Sequence, residues 1–222
     1  MEQEGVIKYS LDFQRKGVRT KKQTLRDINA CRSVMQNKGL LGQDDDRYGG
    51  YGFGNISIRA TKSNKTFLIT GSQTGHKLSL SNASLSCITL IDIEQNSICA
   101  HGEVEPSSES MTHGVLYQQS DQIQAVVHVH SPDIWRYAEA LNLASTPKDI
   151  PYGTPEMAYA VQQLSSELML AKAALPILFV MKGHEDGIVA AGSSLVQCTN
   201  ILLDALQRSK KFAQSNVGLI NE

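Results

Sequence analysis

The sequence has few cysteines, and none of the four (Cys31, Cys87, Cys99, Cys198) forms a CxxC pair. That argues against a thiolate metal knuckle and a disulfide framework, and leaves reduced core cysteines as the expectation. No apolar run approaches the roughly 20 residues a membrane helix needs. The opening stretch "MEQEGVIKYSLDFQ" lacks the basic and apolar regions of a secretory signal. The reading is therefore a cytoplasmic chain with no membrane partner. An excess of one charge is also missing: 21 Lys and Arg face 22 Asp and Glu, a formal net charge of −1. No electrostatic case arises for nucleic acid or an anionic surface. No glycine turn is followed by GK[ST], so a P-loop is not supported. What remains is 222 residues, 41% hydrophobic, without repeats, most simply one domain over 1–222 with a sizeable core.

Along the chain, "GVIKYSLDF" alternates as a strand, within an N-terminal segment 1–20. "RDINACRSVMQNKGLLG" reads as a helix with Ile28, Cys31, Val34 and Met35 on one stripe and Gly39 or Gly42 at its end. A glycine-rich polar loop from Gln43 to Gly54 runs into a short strand at Ile56 to Arg59. "KTFLITGSQTG" is a strand ending in a glycine turn, and "SLSCITLIDIEQNSICAHG" is two strands around a turn. A helix starts near Ser107, "QAVVHVHSP" is a strand, and a helix follows Pro155. "ALPILFVMKGHEDGIVAAG" is a strand pair, and "SLVQCTNILLDALQRSKKFA" is the closing helix. Strands and helices mix without a strict βαβ rhythm, which favours an antiparallel or mixed sheet covered by helices.

The run "VVHVHSP" (126–132) places two imidazoles where valine would pack better. On a strand, His128 and His130 face the same side, about 6.6 Å apart at Cα, while Val127 and Val129 take the other. Two protonated imidazoles would repel, and two buried unpartnered ones would cost free energy; a divalent cation resolves both problems. Hydrogen-bonded histidines on a half-exposed face are the alternative, and the pair alone leaves both open. His184, in "FVMKGHEDG", follows a second apolar strand at a glycine turn, where a third ligand could meet the pair. His113 lies mid-helix, four residues after Glu109, and could pair with it. His76 and His101 lie in loops and read as solvent-exposed.

In "EVEPSSESMTH", Pro106, Ser107 and Ser108 mark a helix start, whose exposed N–H groups and dipole suit an anion. Plain capping would need only one serine. Glu109 falls in the first turn: a dipole residue, or a metal ligand or general base if that turn faces the histidines. Asn55 follows flexible glycines, and its amide could donate to a ligand oxygen. Thr70, Gly71 and Ser72 end a strand in a small-residue turn, expected to offer free N–H groups as an anion nest. Arg59 is the one cation within these motifs, and alternation puts it on the face of Asn55.

Taken together, "GNISIR", "FLITGS", "PSSE" with a histidine four residues on, "AVVHVHSP", "IPYGT" and "KGHEDG" resemble, in order and spacing, the class II aldolase/adducin-head family. The resemblance spans about residues 24–208. It implies a three-layer α/β/α fold around a mainly antiparallel sheet, and a homotetramer with sites at subunit interfaces. It implies one zinc ion per chain on His128, His130 and His184, with Glu109 beside it as acid/base. It puts Asn55, Thr70, Gly71, Ser72, Ser107 and Ser108 around a substrate phosphate. The implied activity is a lyase: zinc chelates a hydroxy-ketone of a small phosphorylated sugar and stabilises an enediolate. An epimerase, a dehydratase or an adducin-like interaction module shares the framework. The sugar-phosphate aldolases of the family carry a tyrosine acid beyond the metal strand, and here Tyr137, Tyr152 and Tyr159 are the candidates. Relative to those aldolases, the strand segment within residues 1–20 is extra and the Gln43–Gly54 loop is longer and more acidic.

Overall fold

The computed structural model describes residues 6–61, 65–172 and 175–218. A nine-stranded sheet runs in the order β1 (Ser10–Arg15), β7 (Ser97–Gly102), β6 (Leu85–Asp92), β5 (Phe67–Thr70), β4 (Asn55–Arg59), β8 (Ala125–His130), β11 (Gly187–Gly192), β10 (Ile177–Val180), β9 (Ala144–Ser145). Only the two outermost pairs, β1 with β7 and β9 with β10, are parallel. The fold is thus α/β with a mostly antiparallel sheet, as the alternating segments predict. A two-residue ribbon, β2 (Gly42–Gln43) with β3 (Gly52–Phe53), closes the glycine-rich loop beside it.

Each face of the sheet carries its own core. On one face, Ile56, Val127, Val129 and Ile188 pack with Ile28, Met35, Cys198 and Leu202. These come from α1 (Lys22–Asn37) and α5 (Leu195–Gly218), with Ile134 of α3 (Pro132–Arg136) alongside. On the other, Ile69, Val126 and Val189 pack with Val115 of α2 (Ser110–Gln119) and Val161 of α4 (Pro155–Lys172). The three layers follow from β8 being covered on both sides; all six of its residues are buried. All four cysteines are free. Among the described residues no helix is long and apolar enough to cross a membrane.

Three boundaries differ from the sequence reading. The first strand begins at Ser10 rather than in the "GVIKY" stretch, because its partner is the late-starting β7 at the sheet edge; Gly5 lies outside the described residues. Helix α2 begins at Ser110, so Glu109 is its N-cap instead of a first-turn residue. Pro106 is held in a bridge to Gly71, and only at Ser110 does an N–H turn back, to the Ser107 carbonyl at 3.0 Å. His101 is a half-buried strand residue on β7, not a loop residue.

Candidate functional site

His128 and His130 project from β8 toward the α2 side, and His184 meets them from the turn between β10 and β11. Gly187 stands opposite His130 in the β8–β11 ladder. A Cβ there would lie 3.1 Å from the His184 ring, so the glycine leaves room for the third imidazole. All three histidines are buried, and one nitrogen from each lies within 4.8 Å of the others. The Nε2 atoms of His128 and His130 are 3.1 Å apart. His128 Nδ1 donates to the Ile188 carbonyl at 3.1 Å, which fixes the tautomer that leaves Nε2 as a ligand. Burial, reinforced by the neighbouring imidazoles, holds His128 and His130 well below the ordinary histidine range. They are therefore neutral, the form that binds metal. Three imidazoles crowded into one buried spot fit a divalent ion better than they fit each other.

Glu109, 1% exposed, points its carboxylate at this cluster. Its Oε1 lies 3.6 Å from His184 Nδ1, and Oε2 accepts from the Thr112 hydroxyl at 2.8 Å. His113 is not its side-chain partner. His113 Nδ1 lies 2.7 Å from Ser57 Oγ, which reaches Tyr117 at 2.8 Å, and burial pushes His113 down to about 3.

Asn55 stands directly opposite His128 in the β4–β8 ladder, so it shares the histidine face. Asn55, Gly71, Ser72, Ser107 and Ser108 line one small pocket of about 20 Å³, with Gly52, Gly54 and the 73–75 turn. The Asn55 Oδ1 is buried there without a hydrogen-bond partner. Two expectations are corrected. The N–H groups of Gly71 and Ser72 are not a free nest: they donate to the carbonyls of Ser84 (2.9 Å) and Glu105 (2.8 Å). Thr70 is outside the pocket lining, its hydroxyl accepting from Ile56 N–H at 3.2 Å. Arg59 turns away from the pocket: its guanidinium donates to the Ile123 and Tyr117 carbonyls at 2.9 and 2.8 Å.

Several residues near the site were invisible in the sequence reading. Arg32 lies buried on the apolar stripe of α1 and donates to the carbonyls of Thr74, Gly75 and Lys77 at 2.7, 2.9 and 2.8 Å. Burial lowers its guanidinium to about 10. Those bonds tether the 74–77 turn to α1. On the other side of His184 opens a cleft of about 910 Å³ whose walls include Arg47, Tyr48, Trp135, Tyr152 and Asp186. The Tyr48 hydroxyl donates to Asp186 at 2.7 Å and accepts from Arg47 at 2.7 Å, and its ring edge meets His130 with centroids 4.7 Å apart. The signal available was the loop "RYGGYGFG", aromatic and glycine-rich. Of the three tyrosines singled out in sequence, Tyr152 stacks on His184, Tyr137 packs on Phe212, and Tyr159 is exposed.

A three-histidine centre with an adjacent carboxylate, mounted on a mostly antiparallel sheet between helix layers, defines a class of α/β protein. The model of the Class II Aldolase and Adducin N-terminal domain family matches residues 43–208, and the chain belongs to that family. The chain is 26% identical over 177 residues to the 3-oxo-tetronate 4-phosphate decarboxylase of Haemophilus influenzae (strain ATCC 51907 / DSM 11121 / KW20 / Rd), across 72% of this chain and 77% of that protein. In fold it is similar to an L-fuculose 1-phosphate aldolase, with a TM-score of 0.64, 18% identity, and 89% of this chain and 88% of that one covered. It is also similar to the L-fuculose-1-phosphate aldolase from Thermus thermophilus, with a TM-score of 0.63, 16% identity, and coverage of 90% and 97%.

Proposed function

We propose that the chain is a divalent-metal-dependent carbon–carbon lyase acting on small phosphorylated hydroxy-carbonyl compounds, with zinc as the ion. The observation that carries this reading is the buried triad of His128, His130 and His184 with Glu109 at 3.6 Å from His184. A divalent ion there would supply a Lewis acid that polarises a carbonyl and stabilises negative charge on neighbouring oxygens. Glu109 takes the substrate proton and returns it to the fragment left when the C–C bond breaks. Its Oε2 is held by the Thr112 hydroxyl, and Oε1 lies on the His184 side. The Asn55 amide, the Ser72, Ser107 and Ser108 hydroxyls and the N-terminus of α2 hold the phosphate. At about 20 Å³ the pocket takes roughly one water-sized group, the size of a single phosphate oxygen. The departing fragment occupies the wide cleft. A homotetramer belongs to the same proposal and rests on the family alone.

Decarboxylation of a phosphorylated 3-oxo acid is the second reading, favoured by the name of the 26% identical relative. It needs the same residues, with carbon dioxide leaving in place of an aldehyde. Elemental analysis of protein purified without chelator should find one divalent ion per chain. The double substitution His128→Ala, His130→Ala should lose it; full metal content in that variant would overturn the centre. Metal-loaded protein is then offered phosphorylated ketoses and 3-oxo acids, with aldehyde and carbon dioxide release measured separately. Turnover of neither class would overturn the lyase reading and leave the interaction-module alternative.

A further inference from the structure

Strand β1 lies outside the 43–208 span of the family match, yet the residues just before it reach the metal centre. The parallel pairing of β1 with β7 sets residues 8 and 9 beside the 151–153 turn and the segment that leads into α2. Tyr9 donates its hydroxyl to the Ser107 carbonyl at 2.8 Å. Lys8 Nζ donates to the Tyr152 carbonyl at 3.1 Å and sits 3.8 Å from the centroid of the Tyr152 ring. The other face of that ring stacks on His184, centroids 4.3 Å apart and planes 19° from parallel.

We propose that Lys8 is a positioning residue for the metal centre, acting through Tyr152 on His184. The inference rests on the metal-binding reading above. His128 and His130 are fixed by a central strand paired on both sides. His184 comes from a turn, so its ring needs support from elsewhere. Tyr152 supplies that support as a flat wall, and its N–H donates to the Gly183 carbonyl at 3.3 Å, next to the ligand. Lys8 then holds the wall from behind by a cation over the ring and a hydrogen bond to the same residue's backbone. The clasp has a second jaw: Asn96 Nδ2 donates both to the Lys8 carbonyl and to the Gly153 carbonyl, each at 3.2 Å. Gly153 shows how close the approach is. Its φ is +75°, and a Cβ there would lie 2.9 Å from Lys8 Cδ. Second-layer partners of ligating histidines typically change metal affinity by about 10- to 100-fold.

Electrostatics alone predicts the opposite sign. A cation near a divalent ion repels it, so removing Lys8 would tighten binding if charge were its main effect. The experiment measures Zn²⁺ affinity by competition with a chromophoric chelator, and the visible spectrum of the Co²⁺-loaded protein, for wild type, Lys8→Met and Lys8→Arg. Lys8→Met should bind Zn²⁺ about tenfold more weakly and shift the Co²⁺ bands, with thermal stability nearly unchanged. Lys8→Arg should restore both. Unchanged or tighter binding by Lys8→Met overturns the positioning role. So does a loss that Lys8→Arg fails to rescue and that tracks a fall in Tm. Absence of binding by the wild type would overturn the metal centre and the role with it, an outcome distinct from wild-type binding that Lys8→Met leaves intact.

Discussion

The pocket bounded by Asn55, Ser72 and Ser108 and the cleft beyond His184 differ in volume, about 20 against 910 Å³, and differ more in what lines them. The small one is walled mostly by glycines, serines and a threonine, with Asn55 and Gln73, so its shape is set largely by backbone and by what packs behind the backbone. Arg32 reaching the 74–77 carbonyls is part of that backing. The large one is walled by long side chains, of which Arg47, Tyr48, Trp135 and Lys182 are tethered at their tips. Lys182 donates to the Trp135 carbonyl at 2.6 Å and Tyr48 bridges Arg47 and Asp186. A backbone-shaped pocket selects one small group; a side-chain-shaped cleft can be retuned residue by residue. The three-histidine cluster lies beside both.

Removing the carboxylate that stands at the centre would make both ends irrelevant. Glu109→Gln should retain metal and fold while turnover falls by about 10²- to 10⁴-fold, the usual contribution of a general acid–base group. Steady-state kinetics on metal-matched protein checks it; normal turnover would reduce Glu109 to a helix-cap residue.

The contrast between the two ends sharpens with inhibitors. A phosphorylated hydroxamate should inhibit about 10- to 100-fold better than its unphosphorylated counterpart, since the hydroxyls and helix dipole give around a kcal/mol each. Inorganic phosphate should compete only at high concentration. Equal inhibition by the two hydroxamates would remove the small pocket from the substrate path.

Gly75→Ala attacks the small pocket through its backbone. A Cβ there would sit 2.2 Å from the Gly42 carbonyl oxygen and 2.8 Å from Gly52 Cα. The urea midpoint should fall by an amount equivalent to about 1–3 kcal/mol, with phosphate competition weakened and the cleft untouched.

Acid should strip the small-pocket side through His113, whose partner Ser57 shares a strand face with Asn55. Its folded-state value is about 3 against 6.5 ordinarily. Below pH 6.5 the unfolded chain takes up a proton that the folded chain refuses. The His113 contribution is therefore complete above pH 6.5 and lost toward pH 3, by up to about 1.4 kcal/mol per pH unit, and the buried His128 and His130 add to the same slope. Urea melts in chelator at pH 7, 6 and 5 should show the slope, and His113→Gln should make it shallower.

The smallest effect belongs to the large cleft. Tyr48→Phe removes two hydrogen bonds in a half-exposed setting, worth about 1 kcal/mol. It should raise KM several-fold while leaving metal content unchanged. An effect as large as that of Glu109→Gln would break the comparison, because the cleft would then take part in chemistry.

Much of this arrangement was legible in the chain. Alternation in "VVHVHSP" puts His128 and His130 on one face, and the glycine turn after an apolar strand points to His184, since both signals are local. Asn55 was marked by the glycines before it, whereas Ser107 and Ser108 were read as a helix start that the structure places at Ser110. What escaped joins distant segments: Lys8 with Tyr152, Tyr48 with Asp186, Arg32 with the 74–77 turn. The nest expected at Gly71 and Ser72 failed in the same way, its N–H groups already taken by carbonyls from Ser84 and Glu105. A turn's own sequence shows which groups it exposes, not which remote strand claims them.

The pairing of Asn55 with His128, and of Gly187 with His130, has an outcome for how this protein can fail. A shift of one residue between β4 and β8 would send Asn55 to the opposite face from the histidines, and the same slip at β11 would put a side chain where His184 needs space. Site and sheet are thus assembled by the same ladder. A chain that misthreads its central strands cannot bring His128, His130 and His184 together, so the cluster forms only with the correct alignment.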